Sequence, residues 1–500
     1  MKGGGGLLGI YDIKKFGCGA MVKCLLFSVV ILSVLNSAVL PSSIFQSKWT
    51  INQPLGIEEK PNSGVSNSDH TKLALRLPAK TKSQNEDETA TTESDEKQAS
   101  PSNEKMQESS PTITEVIVKK SKLIYNSANP RYNVCSIEGD IRIIPDASTI
   151  FVVSSTPLDP NTTTWKIKPY PRKWELGTME GITEMTIQQL TDANQARSCD
   201  VNHDLPAVVF STFWFTGNLF HDHTDLIYPL FLAAHRYNGE VKLVVEDYVS
   251  KSLEKYRPYL TRLSHYPIIN LDNETRVHCF SSAQVGIENL GPLGYKFQNP
   301  QNDQAMQKFT GFIRKSLSLE RSEVEKGKKP RLLVLLRKNT RSIINEDDVI
   351  NLAKDVGFEV VTADEETTKD FPRIAHIVNS CDVLMGIHGA GLANMLYLPT
   401  NGTVLQIIPF GNLKWVGRFD YGDPPSGFGL KYVEYEITLD ESTLTEQYPR
   451  DHPVLRDPQS IHNKGFHEVY VAYLWKQSVK LNVDRFRGTL EETFQLYQYK

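Results

Sequence analysis

A chain of 500 residues exceeds the usual size of a single domain and leaves room for two lobes of about 150–200 residues once terminal segments are set aside. With 40 % hydrophobic and 23 % charged residues it has the composition of a folded globular protein. A formal net charge of -4 lacks the cationic excess of a nucleic-acid binder, so nucleic acid is not expected as a partner.

The first distinctive stretch is 24–40, CLLFSVVILSVLNSAVL, an uncharged run preceded by Lys14, Lys15 and Lys23. It is just long enough to span a bilayer, and the lysines on its N-terminal side put residues 1–23 in the cytosol and the rest of the chain in the lumen. A cleaved signal peptide is the alternative, favoured by the small residues around Ser37 and Ala38; the length of the run favours an anchor. From Lys48 to Thr112 the sequence is dominated by Ser, Thr, Asn, Glu and Lys. Such a segment cannot bury enough apolar surface to offset its ordering entropy, so 41–115 is expected to be a disordered lumenal stem.

Two features agree with a secretory route. Sequons begin at Asn161, Asn273 and Asn401, each a glycan acceptor on a lumenal surface. Of the six cysteines, Cys18 and Cys24 lie in or before the apolar run, leaving Cys135, Cys199, Cys279 and Cys381, whose pairing the sequence leaves open. No cysteine or histidine spacing suggests zinc.

The body then alternates strand and helix patterns. Residues 207–211 (AVVFS) and 241–245 (VKLVV) read as strands, separated by an apolar stretch of helical length at 218–236 and followed by a helix pattern at 253–263. After a charged stretch at 320–329, strands are expected at 331–336, 358–361, 382–386 and 403–408, with helices at 346–356 and 371–379. Alternation at this spacing predicts parallel sheets covered on both faces. The fold class is therefore α/β, with two Rossmann-like lobes over 116–325 and 326–465 and a cleft between them. The helical end, 466–500, is expected to cross back and pack on the first lobe.

Three elements carry chemistry. The sharpest is CDVLMGIHGAGLANMLYLP, from Cys381 to Pro399, in which a strand runs into His388, Gly389, Ala390 and Gly391 before a helical pattern containing Asn394. In an open parallel sheet, ligands bind beyond the carboxyl ends of strands, and the first turn of the next helix offers free N–H groups to an anion. It is not the dinucleotide fingerprint, since no acidic residue stands at the distance a ribose contact needs. The second element, RKNTR, puts Arg337, Lys338 and Arg341 beyond the end of the preceding strand, on the same rim, where an arginine fork could grip two oxygens. The third, GNLFHDHTDLIYPLF from Gly217 to Phe231, places Asn218, His221 and Asp225 on one face of a helix, with His221 and Asp225 four apart. A carboxylate or imidazole there could serve as a general base. Asp222 and His223 add an alternative, because a helix start attracts acids for dipole reasons alone.

Together these elements resemble glycosyltransferase family 61, most closely its plant branch of xylan arabinosyl- and xylosyltransferases. The resemblance rests on Asn218, His221 and Asp225, on RKNTR, and on HGAGLANMLYLP followed by VLQIIPFG. It implies a GT-B fold, inversion at the anomeric carbon, and a UDP-sugar substrate held by the second lobe without a cofactor or a DxD-bound metal. Carried onto this chain, Asp225 becomes the base with His221 beside it and Asn218 in support, while Arg337, Arg341, His388 and the backbone of Gly389, Ala390 and Gly391 hold the diphosphate, with Asn394 and Gln406 among the donor contacts. Relatives acting on proteins tend to carry a glutamate where this sequence has Gln406, which fits the cell-wall branch better.

The implied protein is a Golgi type II membrane enzyme adding arabinofuranose or xylose to xylan through alpha-1,3-arabinosyl or beta-1,2-xylosyl transfer from UDP-arabinofuranose or UDP-xylose. Partners are the membrane and the xylan acceptor, with room for a Golgi enzyme complex. The alternatives are an N-glycan core xylosyltransferase and a catalytically silent glycan-binding scaffold.

Overall fold

The computed structural model describes residues 121–213, 215–295 and 300–498, all within one compact unit. The expected tail (1–23), anchor (24–40) and stem (41–115) lie outside the described residues. Among the described residues no helix is long and apolar enough to cross a membrane.

The first lobe is built on a ten-stranded sheet: β1 Lys122–Asn126, β2 Val134–Ile144, β3 Thr149–Val153, β4 Thr164–Ile167, β5 Met185–Leu190, β6 Val201–His203, β7 Ala207–Ser211, β8 Lys242–Glu246, β9 Ile269–Asn270 and β10 His278–Val285. Its order is β4-β5-β3-β2-β10-β7-β8-β9, with β1 also on β2 and β6 also on β10. The sheet is mixed, which corrects the expectation of a parallel first lobe: β10-β7-β8-β9 is a parallel array, β6 runs parallel to β10 and β3 to β5, but β2 runs antiparallel to both β3 and β10. Burial explains the difference. Every residue of β7 is buried, as in a sheet covered on both faces, whereas β2 alternates toward solvent over Ser136–Gly139.

The second lobe is a fully parallel sheet of five strands, β11 Arg331–Leu335, β12 Glu359–Ala363, β13 Val383–Ile387, β14 Thr403–Ile408 and β15 Lys431–Glu436, in the order β12-β11-β13-β14-β15. The chain reverses its direction of winding between β11 and β13, which makes their carboxyl ends the topological switch point where such sheets bind ligands.

Four helical elements position the site. The helical run 219–237 (α1) and Pro300–Leu317 (α2) belong to the first lobe, and Glu346–Val356 (α3) and Phe371–Asn379 (α4) flank the second sheet. Local chemistry sets the bounds of the last two. Glu346, Asp347 and Asp348 favour the positive start of α3, and Gly357 ends it at φ 124°. Asp370 caps α4 by accepting from the backbone N–H of Arg373, ahead of a buried stripe of Phe371, Ile374, Ala375 and Val378.

One continuous cluster of buried side chains spans both lobes, from Val208, Phe210 and Val245 through Tyr228, Phe231 and Phe309 to Leu333, Leu335, Leu392 and Tyr397. The lobes are thus fused through α1 and α2. The C-terminal helix Val483–Gln495 (α5) does not cross back as expected. Its Phe486 and Leu490 share a cluster with Val349, Leu352 and Tyr435 of the second lobe. Burying each such side chain contributes about 1.5–3 kcal/mol, which fixes α5 where that apolar face lies.

Cys199 and Cys279 form a disulfide, tying the segment before β6 to β10, while Cys135 and Cys381 are free and buried. Asn161, Asn273 and Asn401 are all exposed.

Candidate active site

Helix α1 opens with Asn218, whose Oδ1 accepts from the Phe220 N–H; this residue caps the helix, and among the described residues no hydrogen bond joins it to Asp225. After one α-turn the helix widens into a π-turn over Asp222–Ile227, and all six of those side chains are buried. Such turns often mark functional sites, because the extra residue per turn re-aims the side chains. Asp222 accepts from Tyr256 Oη at 2.6 Å, from Gly217 N at 2.9 Å and from Lys255 Nζ at 3.3 Å. His223 is fully buried, and its ring spans from Leu219 O at 2.9 Å to Tyr397 Oη of the second lobe at 3.3 Å. Burial holds its pKa down at about 4, so it is a neutral strut between the lobes.

Asp225 sits beneath this turn at 1 % exposure. Its Oδ2 lies 2.8 Å from both His221 Nδ1 and Arg172 Nη1, and its Oδ1 accepts from Asn289 Nδ2 at 2.8 Å. With both oxygens taken and almost no exposed surface, the carboxylate cannot meet an incoming hydroxyl. The expectation that Asp225 is the base is therefore corrected to a positioning role. A bare Nδ1 lone pair 2.8 Å from a carboxylate oxygen would be repelled, so Nδ1 carries a proton toward Oδ2, with Arg172 Nη1 3.2 Å from the same nitrogen, and in the neutral tautomer Nε2 is the acceptor.

His221 is 18 % exposed, stacked at 4.2 Å on Phe215 and met edge-on by Phe220. Arg172 lies over Phe215 and Trp174, both at 4.8 Å, and also donates to Glu175. Burial opposes the charge of Arg172, but Asp225 and Glu175 outweigh it and raise its pKa. The imidazole is thus clamped in one orientation.

The second half of the site lies at the switch point. Arg337 follows β11 and donates to Thr340 O at 2.8 Å and Thr340 Oγ1 at 3.1 Å. Arg341 adopts a left-handed backbone, φ 52°, and donates through Nη1 to His388 O at 2.8 Å, while its Nε is buried without a partner. Neither guanidinium forms an ion pair with a carboxylate among the described residues. Burial lowers the pKa of both, and the charge of Arg337 helps bring Arg341 down to about 10. Lys338 points to solvent and is not part of the site.

Gly389, at φ 152°, lies directly under this pair: a Cβ there would stand 2.8 Å from Arg341 Nη1 and 3.2 Å from Arg337 Nη1. Gly391 has no such constraint, its Cβ position meeting only Leu335 Cδ1 at 3.5 Å. From Ala390 to Tyr397 the chain is a 3-10 helix rather than the α-helix its pattern suggested. Leu392, Ala393 and Met395 are all fully buried there, so tertiary packing outweighs the local preference for an α-helix.

His388 is 4 % exposed, yet its neighbours are polar. Gln406 Nε2 donates to His388 Nδ1 at 2.9 Å, and Tyr432 Oη donates to Gln406 Oε1 at 2.8 Å. Burial first, then Arg341 and Arg337, hold the His388 pKa down at about 3. The ring is neutral and presents Nε2–H. Gln406, 0 % exposed, lies behind His388, and Asn394, 1 % exposed, donates to Gly391 O at 2.7 Å. Both brace the rim from within, so the expected direct donor contacts are not available to them.

Sequence reading missed four residues. Arg172 and Asn289 stand 53 and 64 residues from Asp225. Asp420 and Tyr421 lie in another π-turn, Arg418–Gly422, in a stretch without a local pattern. The ring of Tyr421 meets His388 at 5.5 Å and Phe220 at 5.4 Å, joining the two halves of the site. Asp420 Oδ2 is 4.0 Å from His388 Nε2, and burial pushes its pKa up to about 7, only partly countered by Arg172. Among the described residues no group of three or more His, Cys, Asp or Glu side chains is placed to hold a metal ion.

An oriented imidazole joined to a pair of unneutralised guanidiniums suits the transfer of a group from an anionic leaving group to a hydroxyl. Residues 222–405 match the family Glycosyltransferase 61. An alpha-1,3-arabinosyltransferase of Oryza sativa subsp. japonica is 41 % identical over 377 residues, 74 % of this chain and 65 % of that protein. A beta-1,2-xylosyltransferase of the same organism is 39 % identical over 386 residues, 73 % of this chain and 82 % of that protein. A xylan glycosyltransferase of Arabidopsis thaliana is 33 % identical over 395 residues, 75 % of this chain and 80 % of that protein. The chain belongs to glycosyltransferase family 61. The matched part covers just under two thirds of the arabinosyltransferase.

Proposed function

We propose that the protein is an inverting, GT-B type pentosyltransferase that moves arabinofuranose or xylose from a UDP-sugar onto a xylan backbone, anchored in the Golgi membrane with its body in the lumen. The observation that carries this reading is the half-buried pair Arg337 and Arg341, without an ion-pair partner among the described residues, packed over Gly389 and joined through Tyr421 and Phe220 to the His221–Asp225 pair. The names and identities of the plant relatives support the donor and acceptor classes.

In this mechanism His221 Nε2 takes the proton of an acceptor hydroxyl as its oxygen attacks the anomeric carbon. The bond from that carbon to the diphosphate breaks on the opposite side, and its electron pair leaves with UDP. Proton removal of this kind contributes about 10²–10⁴-fold. Asp225 stabilises the imidazolium as it forms, through the 2.8 Å contact at Nδ1. Arg337 and Arg341 neutralise the departing oxygens, taking the part a bound metal plays elsewhere. The neutral His388 adds a hydrogen bond through Nε2–H.

The test is incubation of the purified full chain, made in a secretory host, with UDP-arabinofuranose, UDP-xylose and other UDP-sugars and labelled xylohexaose, reading product mass and linkage. A chelator is expected to leave the rate unchanged. Transfer to N-glycan acceptors in place of xylohexaose, or UDP binding without any transfer, would each refute the proposal.

A further inference from the structure

Asp420 is a carboxylate that the rest of the site does not use. It stands on the second lobe, 21 % exposed, with His388 Nε2 at 4.0 Å and Arg172 close enough to influence its charge. No hydrogen bond to either oxygen exists among the described residues. At 21 % exposure the carboxylate reaches the surface of the crevice with neither oxygen engaged, so both are free to accept from a ligand that enters.

The surroundings restrict what that ligand can be. One flank of Asp420 holds His388, whose backbone carbonyl receives Arg341 and whose neighbour Gly389 underlies both guanidiniums. The other flank is the first lobe, reached through Arg172 and through the ring contact of Tyr421 with Phe220 beside His221. A group lying between the diphosphate grip and the base is the one being transferred. Its available donors are hydroxyls, and a carboxylate offers two oxygens to a pair of them. The backbone supports such a role, since Tyr421 is buried and locks the π-turn from which Asp420 projects.

We propose that Asp420 reads the transferred sugar, accepting hydrogen bonds from its ring hydroxyls while Arg337 and Arg341 hold the diphosphate. This rests on the UDP-sugar reading above and names the part of the site that distinguishes one sugar from another. A hydrogen bond to a charged group is worth enough to change affinity about tenfold or more.

The test compares the wild-type full chain with Asp420→Ala and Asp420→Asn. Calorimetry gives dissociation constants for UDP and for intact UDP-xylose and UDP-arabinofuranose, and initial rates give KM and kcat for each donor. In Asp420→Ala, UDP affinity is expected to stay within about twofold of wild type while UDP-sugar affinity falls about tenfold or more and preference between donors narrows. Asp420→Asn, which keeps one acceptor oxygen, is expected to recover part of the loss.

Loss of UDP affinity to the same extent would overturn the proposal, since it would mark a structural or phosphate-binding role. So would unchanged donor affinity with a fall confined to kcat and a lost acidic limb of the pH profile, which would make Asp420 the base. A wild-type chain that binds UDP-sugar more tightly than UDP but transfers nothing would count against the pentosyltransfer reading alone, because the binding comparison still reports on Asp420. A chain that binds neither would overturn both.

Discussion

The two halves of the site treat charge in opposite ways. In the first lobe, the carboxylate of Asp225 is met by Arg172, His221 and Asn289, and the imidazole it orients is pressed between aromatic rings. In the second lobe, Arg337 and Arg341 are half-buried and, among the described residues, have no carboxylate in an ion pair and Asp420 has no hydrogen-bond donor. Internal compensation fixes a side chain in one pose before anything binds. Absent compensation leaves electrostatic stabilisation to be supplied by a ligand. The first half therefore behaves as a preset tool, and the second as a receptor whose stability improves on binding.

That contrast can be broken most severely at its paired half. His221→Ala is expected to lower kcat by about 10²–10⁴-fold with UDP affinity within about twofold of wild type, measured by initial rates and calorimetry. Asp225→Asn should lose activity comparably and also stability, by about 1–3 kcal/mol in denaturant unfolding, because it leaves the buried Arg172 with Glu175 as its remaining carboxylate partner. In the unpaired half the pattern should invert. Arg341→Gly removes a half-buried cation, with its unpartnered buried Nε, and a left-handed non-glycine backbone, so the melting temperature of the free chain should not fall, while UDP affinity drops about 10–100-fold.

A smaller effect is expected from Gly389→Ala, whose methyl group would press on both guanidiniums. Overpacking of about 1–3 kcal/mol should raise the donor KM and leave kcat nearly unchanged. The smallest is a pH effect. Burial has raised the Asp420 pKa to about 7, so the cost of its charge to the fold is absent below the ordinary carboxylate range near 4 and complete above about 7. Asp420→Asn should therefore melt higher than wild type at pH 8, with the difference closing as the pH falls toward about 4. An equal gain at both values would assign the effect to something other than ionisation.

The second lobe was legible because its signals are local. Helices 346–356 and 371–379 and strand 403–408 stand where the sequence puts them, since an acidic first turn, a capping aspartate and an all-apolar β run each act within a few residues. The pairing of His221 with Asp225 was readable from a spacing of four, and the rim of Arg337, Arg341 and His388 from strand ends. The mixed order of the first sheet was not, because register between β2 and β10 is decided by residues more than a hundred positions apart. The role of Asp225 was misjudged for a related reason. Whether a carboxylate is a base or a support depends on who faces it, and Arg172 and Asn289 approach from distant loops.

The core that runs unbroken from Val208 and Tyr228 to Leu335 and Tyr397 has a practical consequence. Exchanging the donor half of this chain for that of a relative would sever a shared interior, so altered sugar preference is better sought by point changes along the crevice than by grafting whole lobes. Chimaeras joined before β11 should aggregate even when both parents are soluble.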